Sequence, residues 1–287
     1  MKTLYLDCTN GISGDMLLKG LMKISGAEKE IEVAMKNERL HGHHHHDGHD
    51  HGHAHHHHDG HDHGHAHHHH DGYDHGHAHH HHGHEHEDHH GHEHGEHHHD
   101  AHHHGHEEHG HGRSWTKVRE LISCSGFSEE ARKTALNIYG RIAEAEAKTH
   151  GETLETIHFH EVGRDEAIKN ALGIGMALAA IAPDEILTSP IYDGKGTIIC
   201  SHGEIPVPVP AVMALREKCS YEFRQADVNT EMVTPSGLAG IMGIGAVAAD
   251  RTLQQLLENG ELMMSTEARG SRDTGRDGLK VYLIKTE

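Results

Sequence analysis

The chain has 287 residues, 44 of them histidine, and a formal net charge of −20. Residues 41 to 111 hold 40 of the histidines and 14 acidic residues but no Lys or Arg, so the other 216 residues carry a charge of only −6. A mildly acidic body without a Lys/Arg run argues against nucleic-acid binding. Four scattered cysteines without a C-x-x-C pair argue against a disulfide framework or a sulfur-rich zinc site.

The N-terminal segment predicts a strand, a turn and two helices. "KTLYLDC" is typical of a short strand, the turn-rich "TNGISGD" follows, and "MLLKGLMKIS" has helical apolar spacing and is closed by Gly26. "EIEVAMKNERL" predicts a second helix. The first apolar run is short and is broken by Asp7, so no signal peptide is predicted and the expected location is the cytoplasm.

The histidine-rich tract contains a 12-residue repeat, "HHHHDGHDHGHA" at 43–54 and 55–66, with a third copy at 67–78 that differs only at Tyr73. Because it offers almost no apolar side chain to bury, we expect it to be disordered without metal. Neutral imidazoles bind Ni, Cu, Zn and Co, so the tract predicts a high capacity for metal ions without selectivity among them.

The metal capacity of the tract should depend on pH. Imidazoles with a pKa near 6.5 lose their ligand function on protonation, so the apo-protein should bind far fewer Ni²⁺ equivalents at about pH 5.5 than at about pH 7.5. A calorimetric or spectroscopic titration at the two pH values checks this. Equal stoichiometry at both would contradict the prediction.

Beyond the tract, the sequence predicts helices and short strands in mixed order. "WTKVRELIS" predicts a helix, and a longer one starts at Ser128 as N-cap and stops at Gly151. The apolar segments 171–182 and 237–249 predict buried helices, and both are shorter than the roughly 20 residues that a membrane span requires. Strands are predicted near "EILTSPIY", "GTIICSHG" and "GLKVYLIK", and the prolines of "EIPVPVPA" require extended backbone.

This pattern lacks regular β-α alternation and favours an α+β fold, a mixed sheet with packed helices interrupted by the disordered histidine-rich insertion. Residues 1–40 are expected to form the N-terminal β-α part of the core domain. Residues 41–112 form the metal-binding tract, and residues 113–287 the remainder of the core.

Candidate metal ligands outside the tract lie in "TIHFHEVG" and "CSHGEIPVP". In a strand, His158 and His160 point to one face and can form a two-ligand metal clamp. Glu161 can turn toward the same site if the strand ends at His160, and His202 lies beside Gly203 at a strand end. The alternative for each histidine is a purely structural role.

A second candidate site lies near the N-terminus, where Asp7 ends the first strand and Asp15 begins a helix. Two carboxylates can hold Mg²⁺ or Mn²⁺, and the free N–H groups of a helix start can hold an anion. The alternative is that Asp15 is a helix-start acid and Asp7 a turn residue. "VTPSG" is interpreted as a turn with Ser236 as the N-cap of the next helix.

Five segments in fixed order, "LYLDCTNGISGDMLLKGLM", "AEAEAKTHG", "IHFHEVG", "SHGEIPVPVPA" and "VTPSGLAG", resemble the LarC family of nickel insertion proteins. The resemblance implies a cytoplasmic metallochelatase-type lyase. Such an enzyme inserts Ni²⁺ into pyridinium-3,5-bisthiocarboxylic acid mononucleotide, completing the nickel-pincer cofactor of lactate racemase, with CTP hydrolysis and Mg²⁺ or Mn²⁺. In that reaction a ring carbon loses its proton and bonds the metal. Apo lactate racemase is the implied recipient.

On the matching motifs, the resemblance implies nickel delivery by His158, His160, Glu161 and His202, and a divalent-cation or phosphate site at Asp7 and Asp15. Where the family pattern reads approximately H-E-V-G-A-V-D-S-I-x-D, this chain has "HEVGRDEAIKN". Longer members of the family continue into a C-terminal part to which nucleotide binding is attributed. In some members, ribosomal frameshifting joins the N-terminal and C-terminal parts. The alternatives are a non-catalytic nickel or zinc storage and delivery protein, and a structural module with an incidental tract.

Overall fold

The computed structural model describes residues 1–40, 112–200 and 203–286. The histidine-rich tract, with its predicted disorder, and His202 lie outside the described residues. Eight helices are described: Gly14–Ser25 (α1), Glu28–Asn37 (α2), Trp115–Cys124 (α3), Glu129–His150 (α4), Asp165–Ile181 (α5), Pro210–Arg216 (α6), Pro235–Gly243 (α7) and Leu253–Glu258 (α8). The strands are Lys2–Asp7 (β1), Arg113–Ser114 (β2), His158–Phe159 (β3), Glu185–Thr188 (β4), Ile191–Asp193 (β5), Thr197–Cys200 (β6), Gly203–Pro206 (β7), Phe223–Gln225 (β8), Val247–Ala248 (β9), Gly260–Ala268 (β10) and Leu279–Thr286 (β11).

The main sheet has the order β10-β11-β1-β4-β9 and is mixed. Strand β1 pairs antiparallel with β11 and parallel with β4. Its side chains alternate between two faces, because Leu4 and Leu6 enter the main core whereas Tyr5 packs with Leu256 of α8 in a small second cluster. The predicted α+β class with a mixed sheet and packed helices is confirmed.

The long helix α4 begins and ends at the residues that the sequence predicts. The Ser128 side chain accepts a hydrogen bond from Ala131 N, and Gly151 ends the helix with φ of 67°. Helix α5 packs closely on α4, since a Cβ at Gly175 would lie 2.5 Å from the carbonyl oxygen of Ala131. None of the helices in the described part of the chain combines the length and apolar character needed to cross a membrane.

The segment predicted as one helix over 237–249 is corrected by the structure. Helix α7 ends at Gly243, Gly245 has a φ of +78°, and residues 247–248 form strand β9 beside β4. The N-cap of α7 is also different from the prediction, because Thr234 rather than Ser236 accepts the hydrogen bond from Gly237 N. Pro235 then occupies the first turn, where its missing N–H costs nothing.

Elements from both sides of the tract pack together. Helix α1 contacts α5 and α7 as well as strands β10 and β11. The close approach to β11 requires Gly20, where a Cβ would lie 2.7 Å from a methyl group of Val281. This packing brings the first turn of α1 next to the loop that joins β10 to β11.

Candidate functional site

A cavity of about 570 Å³ lies where the first turns of α1 and α7 meet the β10–β11 loop and the facing sides of α4 and α5. Its lining is polar around the two helix starts and along the loop, and apolar where Ile138, Ile142 and Ile174 contribute. A cavity of this size with a few converging polar groups is typical of a small-molecule site. We therefore treat it as the candidate substrate cavity.

Backbone pairing holds the two helix starts together. Ile12 N donates to the Met232 carbonyl at 2.9 Å, and Thr234 N donates to the Ile12 carbonyl at 3.0 Å. Gly237 makes the approach feasible, because a Cβ there would lie 2.6 Å from the carbonyl carbon of Ile12. Ser13 and Thr234 are the N-caps of α1 and α7, and both line the cavity. The positive ends of two helix dipoles thus meet at one wall.

The loop over residues 269–278 adds three arginines to the cavity lining, Arg269, Arg272 and Arg276. It is tied to α1 because Lys19 Nζ donates to the Arg269 carbonyl at 3.2 Å and Ser271 N donates to Asp15 Oδ2 at 3.1 Å. Guanidinium groups bind phosphates and carboxylates through paired N–H donors. With the helix starts, they form an anion-attracting wall.

Glu231 contributes a carboxyl group to the same cavity and is only 7 % exposed. Burial raises the pKa of Glu231 to about 7, and the negative charges of Asp193 and Glu161 act in the same direction. Arg272 opposes this shift, with its Nη2 atom 3.2 Å from Glu231 Oε2. Sequence reasoning missed Glu231, since no local pattern marks it.

Asp193, at the end of β5, supports the segment that carries Glu231. Its Oδ1 atom accepts from Gly194 N, Met232 N and Val233 N at 2.8 to 3.2 Å. Its Oδ2 atom accepts from Arg216 Nη2 at 3.0 Å, and the Arg216 guanidinium also lies over the ring of Phe223. This buried carboxylate therefore fixes one wall of the cavity, and sequence reasoning did not identify it.

The structure places the predicted H-x-H pair on the surface. His158 and His160 are exposed whereas Phe159 between them is buried, where it meets the rings of Trp115 and Tyr139 edge to face. The His158 Nδ1 atom lies 2.7 Å from the Thr156 carbonyl, an arrangement in which a neutral ring carries its proton on Nδ1 and its lone pair on Nε2. Neither histidine lines the cavity.

Glu161 does line the cavity, as does the adjacent Val162, whose carbonyl accepts from Tyr139 Oη at 2.7 Å. Strand β3 ends before His160, so Glu161 is released from the strand alternation. Among the described residues no group of three or more His, Cys, Asp or Glu side chains is placed to hold a metal ion. His158, His160 and Glu161 thus do not form a complete coordination shell by themselves.

The two N-terminal aspartates have different surroundings. Asp15 lines the cavity, and its carboxylate accepts from the Ser13 hydroxyl, Lys19 Nζ and Ser271 N. Asp7 does not line it; it accepts from the backbone and hydroxyl of Thr9 and pairs in register with Lys280 of β11. The structure therefore brings Asp15 and Glu161 to one cavity and leaves Asp7 outside it.

The chain matches the family model for nickel insertion protein over residues 4–257. It belongs to the nickel insertion protein family. This confirms the resemblance found in the sequence motifs.

Its relatives include two pyridinium-3,5-bisthiocarboxylic acid mononucleotide nickel insertion proteins that match most of the chain. The Lactiplantibacillus plantarum protein is 34% identical over 276 residues, 96% of this chain and 59% of the relative. The Akkermansia muciniphila protein is 32% identical over 246 residues, 85% of this chain and 52% of the relative. The chain thus spans about half the length of these curated relatives. No solved structure gives a significant match.

Proposed function

We propose that this nickel insertion family member takes part in inserting Ni²⁺ into pyridinium-3,5-bisthiocarboxylic acid mononucleotide, as a metallochelatase-type lyase in the cytoplasm. The observation that carries the proposal is the cavity, whose anion-attracting wall adjoins a buried carboxylate, Glu231, in a chain of this family. The substrate for which these relatives are named has a pyridinium ring with two thiocarboxylates and one phosphate.

The cavity suits such a substrate in size and charge. Its volume of about 570 Å³ lies within the range of small-molecule sites. Arg269, Arg272 and Arg276 would bind the phosphate beside the two helix starts, where backbone N–H groups favour negative charge. The pyridinium ring would then lie toward the apolar side, near Glu231.

Nickel is a substrate in this reaction, and the geometry suggests how it reaches the cavity. Strand β2 follows Gly112 directly and pairs with β3, with Ser114 opposite His158. A Cβ at Gly112 would lie 3.0 Å from His160 N, so the chain that follows the tract runs beside both histidines. His158 and His160 would receive the ion there and pass it to Glu161 at the cavity wall.

An incomplete ligand set suits a delivery step. A closed shell of protein ligands would hold Ni²⁺ against transfer. Two imidazoles and a carboxylate on a surface loop leave coordination positions open for the substrate's sulfur atoms. We keep His202 as a proposed further ligand on the family resemblance.

CTP and Mg²⁺ or Mn²⁺ remain part of the proposal by resemblance only. The carboxylates of Asp7 and Asp15 do not fit a shared cation site, because Asp7 is bonded to Thr9 outside the cavity that Asp15 lines. The C-terminal part of longer relatives is the proposed partner for the nucleotide-dependent step, and apo lactate racemase the proposed recipient of the product.

The second candidate function is nickel or zinc storage and delivery, which the composition of the tract favours. Replacing residues 41–111 by a short Gly/Ser linker separates the two functions. For an inserting protein, we expect the deletion to lose most bound nickel equivalents but to retain product formation at high nickel concentration. A storage protein would form no product and would lose nearly all its metal capacity.

The folded site is tested in the same deletion variant. Changing both His158 and His160 to Ala should weaken nickel binding by at least about tenfold, because two imidazole ligands are lost. His150→Ala is the matched control, since this exposed histidine lies at the end of α4 near Glu146 and should leave nickel affinity unchanged. Calorimetry measures the nickel affinity of both variants. Unaltered affinity in the double variant would contradict the proposed role of His158 and His160 as nickel ligands.

A further inference from the structure

Glu231 differs from the other carboxylates that line the cavity. It is 7 % exposed, whereas Glu161, Asp273 and Asp277 are exposed and Asp15 is half-buried. A buried carboxylate is poorly solvated, so its negative charge is costly and its affinity for a proton is high. Glu231 therefore has a chemical property that the other acids of this cavity lack.

The carboxylates that line the cavity also differ in their hydrogen-bond and ion-pair partners. Asp15 accepts from a hydroxyl, an ammonium and a backbone amide, and Asp277 pairs with Lys280 and Arg269. Both of these carboxylates therefore have more than one donor or cationic partner. The Glu231 carboxylate forms an ion pair with Arg272, with 3.2 Å between Glu231 Oε2 and Arg272 Nη2. Arg272 is an exposed residue of the β10–β11 loop.

The charges around Glu231 act in both directions. Burial, Asp193 and Glu161 all raise the pKa of Glu231, Arg272 lowers it, and the result is about 7. A general base is most effective when its pKa lies near the operating pH. Glu231 thus combines a position in the cavity wall with a basicity matched to neutral solution.

We propose that Glu231 accepts the proton that the substrate's ring carbon releases when that carbon bonds nickel, an inference that rests on the proposed function. The C–H bond breaks and its electron pair forms the bond from carbon to nickel. The proton goes to a Glu231 carboxylate oxygen, and nickel stays divalent. No oxidant or reductant is required, and Glu231 afterwards returns the proton to solvent.

Arg272 links substrate binding to this proton transfer. The arginine lines the cavity with Arg269 and Arg276, so an anionic group bound there competes with Glu231 for its guanidinium. Loss of that pairing removes the charge that lowers the pKa of Glu231. The carboxylate becomes a stronger base once the substrate is in place.

The test uses the full chain together with the C-terminal part of a longer relative, nickel, the pyridinium bisthiocarboxylate mononucleotide, CTP and Mg²⁺. Glu231→Gln keeps the shape of the side chain but removes the base, so the insertion rate should fall by about a hundredfold or more. Nickel affinity should not change. Glu231→Asp should retain part of the rate. Glu258→Gln is the matched control, because Glu258 is an exposed residue of α8 that does not line this cavity.

The pH profile gives a readout that a structural role would not move. The wild-type kcat/KM, which reports on the free protein, should rise with pH through an apparent pKa of about 7, and this dependence should vanish in Glu231→Gln. Ionising a buried group whose pKa is raised also destabilises the fold, so the Tm of the wild type should drop below that of Glu231→Gln as pH rises through 7.

Two outcomes would overturn the inference. If Glu231→Gln inserts nickel within about threefold of the wild-type rate with an unchanged pH profile, Glu231 is not the proton acceptor while the proposed function stands. If the wild-type chain forms no product even with that C-terminal part present, the proposed function fails and the inference fails with it.

Discussion

Asp193→Ala should lower the free energy of unfolding by about 3–5 kcal/mol, because it removes one partner of a buried charge pair. The substitution leaves the guanidinium of Arg216 and the backbone N–H groups of Gly194, Met232 and Val233 without their acceptor. Each buried donor then bears its full desolvation cost. Urea denaturation of the variant measures the loss.

The effect should extend to the cavity. Met232 and Val233 adjoin Glu231, and the Met232 carbonyl accepts from Ile12 N at the start of the α1 loop. Asp227→Ala is the matched control, because Asp227 lies in the same region but is 90% exposed and pairs only with Lys195 among the ion pairs described. Its stability should equal that of the wild type within error. A variant at 193 as stable as that control would contradict the role of Asp193.

Gly237→Ala should destabilise the protein by about 1–3 kcal/mol, because the added methyl group overpacks the contact between α1 and α7. That Cβ would lie 2.6 Å from the backbone carbon of Ile12 and 2.6 Å from Ser13 Cα, and backbone atoms cannot rotate away as a side chain can. The variant should also bind the mononucleotide more weakly, since the two helix starts form the anion-attracting wall.

Gly140→Ala should have the opposite effect and stabilise the protein. Gly140 lies inside α4, and a Cβ there meets no atom within 4 Å. Alanine in place of glycine in a helix interior stabilises by about 0.5–1 kcal/mol, because the unfolded chain loses freedom. The denaturant midpoints of the two variants separate the two effects, because Gly237→Ala adds steric overlap whereas Gly140→Ala changes only the backbone entropy. A stabilised Gly237→Ala would contradict the packing described.

The regular elements were predictable from sequence because their determinants are local. Ser128 and Gly151 bound α4, and its apolar residues recur on one face. Helix α5 and strand β1 follow from similar patterns. The end of α7 was not predictable from apolarity, because the apolar run continues past Gly243 and the positive φ at Gly245 terminates the helix.

The candidate site was predictable only in part. Sequence reasoning selected Asp15 and Glu161, and both line the cavity. It missed the arginines of "RGSRDTGRDG", although three cations in a glycine-containing loop between two strands were a visible signal. Glu231 and Asp193 gave no such signal, because each has a role only through segments far away in the chain.

Composition and local pattern alone identified most helical and strand faces and the family of the chain, and they predict the metal-binding capacity of the tract. These properties depend on side-chain chemistry and short-range spacing. Tertiary structure decided which acid is buried. Glu231 is buried next to the segment that Asp193 anchors through Met232 N, and it pairs with Arg272 of the β10–β11 loop. The environment that sets a pKa comes from packing between distant segments, and no stretch of sequence contains it.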